Sequence, residues 1–266
     1  MYLWILSILS LVGAQPYIQE AIRVSQASYC DQVHDWTCIT CDDDATLTNV
    51  IENNGERAIV GAYTTNDFLF VAFRGSTNIE NWIDNVQFSF TCPYESPNLC
   101  VETGFYKVYS SMQEAVTQSL LHLVQYYGIK NVVVTGHSLG AAIATLMAYD
   151  LYISNTFDKI SLITFGSPRV GNEAFVSDIA NKSISSLRIT HAYDIVPHVP
   201  QEFLKYLHIP HEIWYPEDTN DVVIECNDEN MKEDPRCSDS CGPLHCTSVQ
   251  DHLNYLNVSM GTIGDC

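Results

Sequence analysis

A serine hydroxyl becomes a useful nucleophile only when a nearby imidazole takes its proton and an acid steadies the resulting cation. The stretch Gly136-His137-Ser138-Leu139-Gly140 offers such a serine. It follows the β-branched run Val132-Val133-Val134, which reads as a buried parallel strand, and it precedes an Ala-rich stretch from Leu139 that reads as a helix. A strand that becomes a helix within so few residues holds its central residue in a strained conformation and needs small neighbours on both sides. Gly136 and Gly140 are those neighbours, and the turn pushes the Ser138 hydroxyl out at the top of the sheet. The free N–H groups at the helix start then point to where an oxyanion would form. The chemistry implied is acyl transfer, with Ser138 as nucleophile.

In a doubly wound hydrolase the partners follow in the order serine, acid, histidine, on loops after later strands. Asp194 comes just past a strand-like run at 186–191, beside Ile195 and Val196, in a segment stiffened by Pro197 and Pro200. It is the best acid by position, since Asp178 falls in a helical pattern and Asp218 and Asp221 in an acidic turn. His198, His208, His211, His245 and His252 all lie beyond it. Position favours His252, which follows the last strands in an ordered stretch. His208 and His211 have the alternative of forming a zinc pair, but no third ligand stands at a recognisable spacing. Neither a metal nor an organic cofactor is expected. Earlier in the chain, Phe73-Arg74-Gly75-Ser76 closes another strand, where a glycine followed by a serine lets an N–H and a hydroxyl approach a reacting carbonyl.

Directly after it, Ile79, Trp82, Ile83 and Val86 fall at i, i+3, i+4 and i+7, with Glu80, Asn81, Asp84 and Asn85 opposite. A short amphipathic helix between two loops covers an apolar pocket and swings away at an interface. The plain alternative is a surface helix packed permanently on the core. Cys92 and Cys100 are placed to clasp the loop that returns from it.

These groups need a frame, and the periodicities supply one. Ile18, Ile22, Ser25 and Tyr29 share a face of an opening helix; runs at 57–63 and 68–74 form a hairpin around Thr64-Thr65-Asn66-Asp67. Phe105, Tyr109, Met112, Val116, Leu120, Leu123 and Tyr127 line the longest helix, which Gly128 stops. A buried strand at 159–165, a helix at 171–180, the strand at 186–191 and a late hairpin at 209–215 and 222–225 complete the pattern. The alternation gives an α/β fold with a largely parallel central sheet and helices on both faces.

The chain has 266 residues and no internal repeat or linker, so one α/β domain over residues 15–266 is expected. Its 12 basic and 32 acidic residues leave a net charge of −20, which argues against nucleic acid or an anionic membrane as partner. Residues 1–14 are apolar and end in Val12-Gly13-Ala14, the pattern of a cleaved signal peptide, although no Lys or Arg precedes the apolar run. A buried N-terminal helix is the alternative. No other stretch is long and apolar enough to span a bilayer. Ten cysteines and the sequons Asn181-Lys182-Ser183 and Asn257-Val258-Ser259 fit a secreted, extracellular glycoprotein.

Several motifs, in order, resemble the class 3 or fungal-type triacylglycerol lipases of the α/β-hydrolase fold, which also include feruloyl esterases and phospholipases. They are Phe73-Arg74-Gly75-Ser76 with Asn81-Trp82 and Asp84, Thr103-Gly104-Phe105, and Thr135-Gly136-His137-Ser138-Leu139-Gly140-Ala141. Thr164-Phe165-Gly166-Ser167-Pro168-Arg169-Val170-Gly171-Asn172, Asp194-Ile195-Val196-Pro197, His211-Glu212-Ile213-Trp214-Tyr215 and Asp251-His252-Leu253-Asn254-Tyr255 follow. The resemblance implies Ser138 as nucleophile, Asp194 as acid and His252 as base. It also implies an oxyanion hole from Ser76 and the N–H of Leu139, a lid at 77–88, and a structural His137. It further implies the disulfides Cys30–Cys266 and Cys38–Cys41. Cys226, Cys237, Cys241 and Cys246 exceed the fungal pattern, and three pairings stay open among them. The expected function is a monomeric, secreted hydrolase of acylglycerols acting through an acyl-enzyme. A phospholipase A1, a feruloyl-type esterase and an inactive lipid-binding protein on the same scaffold are the alternatives.

Overall fold

The computed structural model describes residues 17–85, 87–217, 222–227, 233–241, 245–261 and 266. The proposed signal peptide, Val86, Asp218 and Asp221 lie outside them. In chain order the first elements are α1 (Ile18–Ala27), β1 (Thr46–Asn53), β2 (Glu56–Tyr63), β3 (Phe68–Phe73) and α2 (Ile79–Asn85). Then come β4 (Phe90–Thr91), β5 (Val101–Glu102), α3 (Thr103–Tyr127), β6 (Asn131–His137), α4 (Leu139–Ser154) and β7 (Lys159–Phe165). The chain continues through α5 (Glu173–Ala180), β8 (Ile184–His191), β9 (Glu212–Tyr215) and β10 (Ile224–Cys226). It closes with α6 (Val249–His252), β11 (Asn254–Tyr255) and β12 (Val258–Ser259).

Eight strands form the main sheet in the order β1-β2-β3-β6-β7-β8-β9-β10. Pairing is parallel from β3 through β9 and antiparallel at both edges. The hairpins expected around residues 64–67 and near 209–225 are both present. Strand β1 was not visible in the sequence. It is an edge strand with exposed or half-buried residues throughout, so it lacks the apolar signature that a buried strand carries.

Successive residues of a strand point to opposite faces, and the two faces here bury different helices. Leu69, Val71, Phe73, Val132 and Val134 pack in one core with Phe105, Met112 and Val116 of α3, Ile143 and Met147 of α4, and Phe175 of α5. Phe68, Phe70, Ala72 and Val133 pack in the other with Ile22 and Val24 of α1 and with Tyr255 and Met260. Helices therefore cover both faces, as expected. The middle helix, α4, is buried on all sides, with every residue from 139 to 149 buried. Its alanines are what let a helix sit that close to a sheet.

Because β3, β6, β7 and β8 run parallel, their carboxyl ends reach one edge together. The segments starting at Arg74, Ser138, Gly166 and Ala192 leave from that edge, which is where open α/β sheets bind ligands. Disulfides Cys30–Cys266, Cys38–Cys41 and Cys92–Cys100 form as the sequence suggested. The open pairing resolves as Cys226–Cys237 and Cys241–Cys246. The Asp42 carboxylate accepts from Arg23 Nη1 at 3.0 Å and from the Tyr63 hydroxyl at 3.4 Å. Among the described residues no helix is long and apolar enough to cross a membrane.

Candidate active site

Ser138 stands between β6 and α4 with φ 61° and ψ −130°, a conformation an ordinary residue avoids. The glycines beside it are there for space. A Cβ on Gly136 would lie 2.4 Å from the Gly140 carbonyl, and one on Gly140 would lie 2.0 Å from the Phe73 oxygen. The Ser138 N–H is anchored by donating to the Phe165 oxygen at 3.0 Å.

Asp194, the candidate acid, sits three residues past β8. Asp194 Oδ1 accepts the Val196 N–H at 2.8 Å, and Oδ2 accepts from His252 Nδ1 at 2.9 Å and from the Tyr255 hydroxyl at 2.5 Å. Burial, and then the Asp194 charge beside it, push the Tyr255 hydroxyl well above its ordinary pKa, so it stays a donor. His252 arrives on α6, whose start is capped by Ser248 accepting the Asp251 N–H at 3.0 Å. The same serine is stitched to the acid loop, with Ser248 N donating to Tyr193 O at 2.9 Å and Ile195 N to Ser248 O at 3.3 Å. Asp251 adds a bond from the Tyr193 N–H at 3.0 Å. His252 is thus delivered to Asp194 by backbone pairing.

Of the five histidines beyond Asp194, His252 is the one hydrogen-bonded to it among the described residues. His211 and His245 are exposed. His208 is buried with Nε2 on the Pro197 carbonyl at 2.7 Å, so the zinc-pair alternative with exposed His211 has no support. Two buried atoms of the candidate triad, Ser138 Oγ and His252 Nε2, find no hydrogen-bond partner among the described residues. Ser138 is 1 % exposed and His252 0 %, so an ester reaches neither until something moves.

Ser76 is half-buried just beyond β3, and Leu139 is the first residue of α4, where N–H groups lack helical partners. Gly75 lies hard against the elbow; a Cβ there would be 2.5 Å from the His137 oxygen and 3.0 Å from Ser138 Cβ. The amphipathic helix forms as α2, with the Asn78 side chain accepting the Asn81 N–H at 3.0 Å at its start. Ile79 is buried and Ile83 half-buried, Trp82 stacks on Phe105 at 6.2 Å and meets Phe88 edge-on, and Glu80, Asn81 and Asp84 face solvent. Tyr255 and the Val196 N–H, the other two partners of Asp194, lie in motifs named above, but no periodic signal marks them as its partners.

With this geometry in hand, comparison with known proteins is informative. The profile of the family described as "Lipase (class 3)" matches residues 70–204, about half of the chain. A lipase of Rhizomucor miehei is 33 % identical over 254 residues, which cover 90 % of this chain and 67 % of that one. The chain thus spans about two thirds of the length of that relative. A chloroplastic phospholipase A(1) of Arabidopsis thaliana is 36 % identical over 149 residues, 49 % of this chain and 33 % of that protein. A solved triacylglycerol lipase, described as having a serine protease triad as its catalytic centre, superposes with a TM-score of 0.84 at 32 % identity. The match covers 91 % of this chain and 94 % of that one. On these grounds the chain belongs to the class 3 lipase family, serine ester hydrolases of the α/β-hydrolase fold.

Proposed function

We propose that the protein is a secreted hydrolase of acylglycerols in which Ser138, His252 and Asp194 form the triad. His252 Nε2 takes the proton of Ser138 Oγ as that oxygen attacks the ester carbonyl, and Asp194 holds the imidazole by Nδ1 and stabilises its cation. The oxyanion is held by the Ser76 hydroxyl and the Leu139 N–H, placed before charge develops. His252 then returns the proton to the leaving alcohol, and a water repeats the sequence on the acyl-enzyme. Residues 77–88 are the lid, whose apolar side exchanges Phe105 for a lipid surface. No cofactor takes part, and one chain suffices. Five disulfides support work outside the cell.

The observation that carries this reading is the bond from His252 Nδ1 to Asp194 Oδ2 at 2.9 Å beside the strained Ser138 turn. Buried polar atoms are nearly always paired; here Asp194 is fully engaged while Ser138 Oγ and His252 Nε2 are left open. Ser138→Ala should lower turnover of a soluble ester by at least roughly three orders of magnitude and abolish fluorophosphonate labelling. Normal hydrolysis by that variant would overturn the assignment, and a parent chain that is not labelled would favour the inactive lipid-binding alternative.

The phospholipase A(1) relative favours one second reading, hydrolysis of phospholipid acyl chains. Turnover on triacylglycerol and phosphatidylcholine separates the two, with methyl ferulate as the check on a feruloyl-type activity. A rate jump as a short-chain triglyceride passes its solubility limit supports the lid, and plain saturation counts against it.

A further inference from the structure

One buried imidazole has no part in that mechanism. His137, next to the nucleophile, is 1 % exposed, and its ring centroid lies 4.4 Å from that of His252. His137 Nε2 is 2.8 Å from the backbone oxygen of His252, and Nδ1 is 2.8 Å from the Tyr29 hydroxyl. A carbonyl only accepts, so the proton sits on Nε2 and Nδ1 accepts from Tyr29. Tyr29, 3 % exposed, has its hydroxyl packed against Gly75, the residue before Ser76. The fit is close, since a Cβ on Gly75 would stand 2.2 Å from the Tyr29 oxygen.

These contacts form one line: Gly75 packed against the Tyr29 hydroxyl, Tyr29 O–H to His137, His137 N–H to the carbonyl of His252. Its two ends are the loop that carries Ser76 and the backbone of the general base. We infer that Tyr29 and His137 are positioning residues that hold the oxyanion loop and the general base in register on either side of Ser138. The inference rests on the triad reading. Its chemistry requires a neutral His137, because His252 gains a positive charge during turnover at ring-contact distance. Burial, reinforced by the neighbouring charge of His252, holds His137 well below its ordinary pKa. Tyr29 follows the end of α1 and precedes Cys30, which is bridged to Cys266, so the middle of the line is anchored.

The test uses the full chain, a soluble short-chain ester and an alkylboronic acid that mimics the tetrahedral anion. Tyr29→Phe keeps the ring and removes the hydroxyl. It should lower kcat roughly tenfold, leave KM within about twofold, and weaken the boronate by the same factor as kcat. His137→Asn, whose amide reaches the Tyr29 end alone, should slow fluorophosphonate labelling of Ser138 about tenfold. His137→Gln, whose amide nitrogen reaches the His252 carbonyl, should recover most of that rate. Ser25→Ala is the structural control: it removes another buried α1–β6 bond, Ser25 Oγ to Thr135 Oγ1 at 3.0 Å. That variant should lose comparable melting temperature and keep parental kcat. Parental kcat in Tyr29→Phe, equal labelling by the Asn and Gln variants, or an equal loss of kcat in Ser25→Ala would each overturn the inference. An active Ser138→Ala marks failure of the triad reading instead. An active Tyr29→Phe in an enzyme whose Ser138→Ala is dead marks failure of the relay alone.

Discussion

Gly140→Ala adds one methyl group at the tightest point of the elbow. Its Cβ would lie 2.0 Å from the Phe73 oxygen, 2.7 Å from the Phe73 carbonyl carbon and 2.9 Å from that of Arg74, where real Cβ contacts do not fall below 3.0 Å. Strand β3 or helix α4 must therefore retreat by about 1 Å in a close-packed interior. No flexible side chain can absorb this, because the obstructing atoms are backbone held by ladders to β2 and β6. Overpacking of this kind costs about 1–3 kcal/mol of stability. The effect on activity is larger, because Phe73 leads within three residues to Ser76 and Gly140 lies two residues past Ser138. A misplacement of about 1 Å lowers turnover on the order of a hundredfold. Gly128→Ala is the comparison. Gly128 has φ 75° and nothing within 4 Å of where the new methyl group would stand, so the change strains the backbone by about 1–2 kcal/mol without a collision. Urea midpoints and kcat on a soluble ester, measured on both variants, should show similar losses of stability and very different losses of turnover. If Gly140→Ala turns over like the parent, or if both variants lose kcat equally, crowding at the elbow does not set the site geometry.

Two further predictions concern stability. Burial holds both His137 and His208 well below the ordinary imidazole pKa of 6.5, so in the folded chain they stay neutral where the unfolded chain takes up protons. Stability therefore falls as pH drops through about 6.5 and continues to fall toward the folded values, by about 1.4 kcal/mol per pH unit for each group. His208→Gln, which can still donate to Pro197, should flatten the pH dependence of urea midpoints below pH 6.5 by about one proton; an unchanged slope would refute it. Arg169 and Glu233 form a bidentate pair, both contacts 2.6 Å, with side chains 4 % and 7 % exposed. Glu233→Ala strands the guanidinium and should cost about 3–5 kcal/mol in chemical denaturation, whereas Arg169→Met with Glu233→Leu should cost much less; equal losses would show that burial of the charge is not the cause.

What could be read from the sequence follows from where each signal originates. Strands β3, β6 and β7 announce themselves because burial on both faces demands apolar runs, and Gly128 ends α3 with the positive φ expected of it. The strained turn at Ser138 and the pairing of Asp194 with His252 were legible because local turn chemistry and the order of the motifs constrain them. Strand β1 was not, since an edge strand tolerates Thr, Asn and Glu. The pairing of the four late cysteines depends on how a loop folds in space, which spacing alone leaves open. Tyr255 and the backbone of Val196 became partners of Asp194 through tertiary approach, so neither could be deduced from periodicity.

The burial of α4 on every side has a consequence for how such a molecule changes over generations. A helix with a wet face can exchange half its residues freely; this one has no such face along its first three turns. The segment bearing Ser138 is therefore also the one least able to vary. Change is tolerated instead where side chains reach solvent, as along the outer face of α2 at Glu80, Asn81 and Asp84.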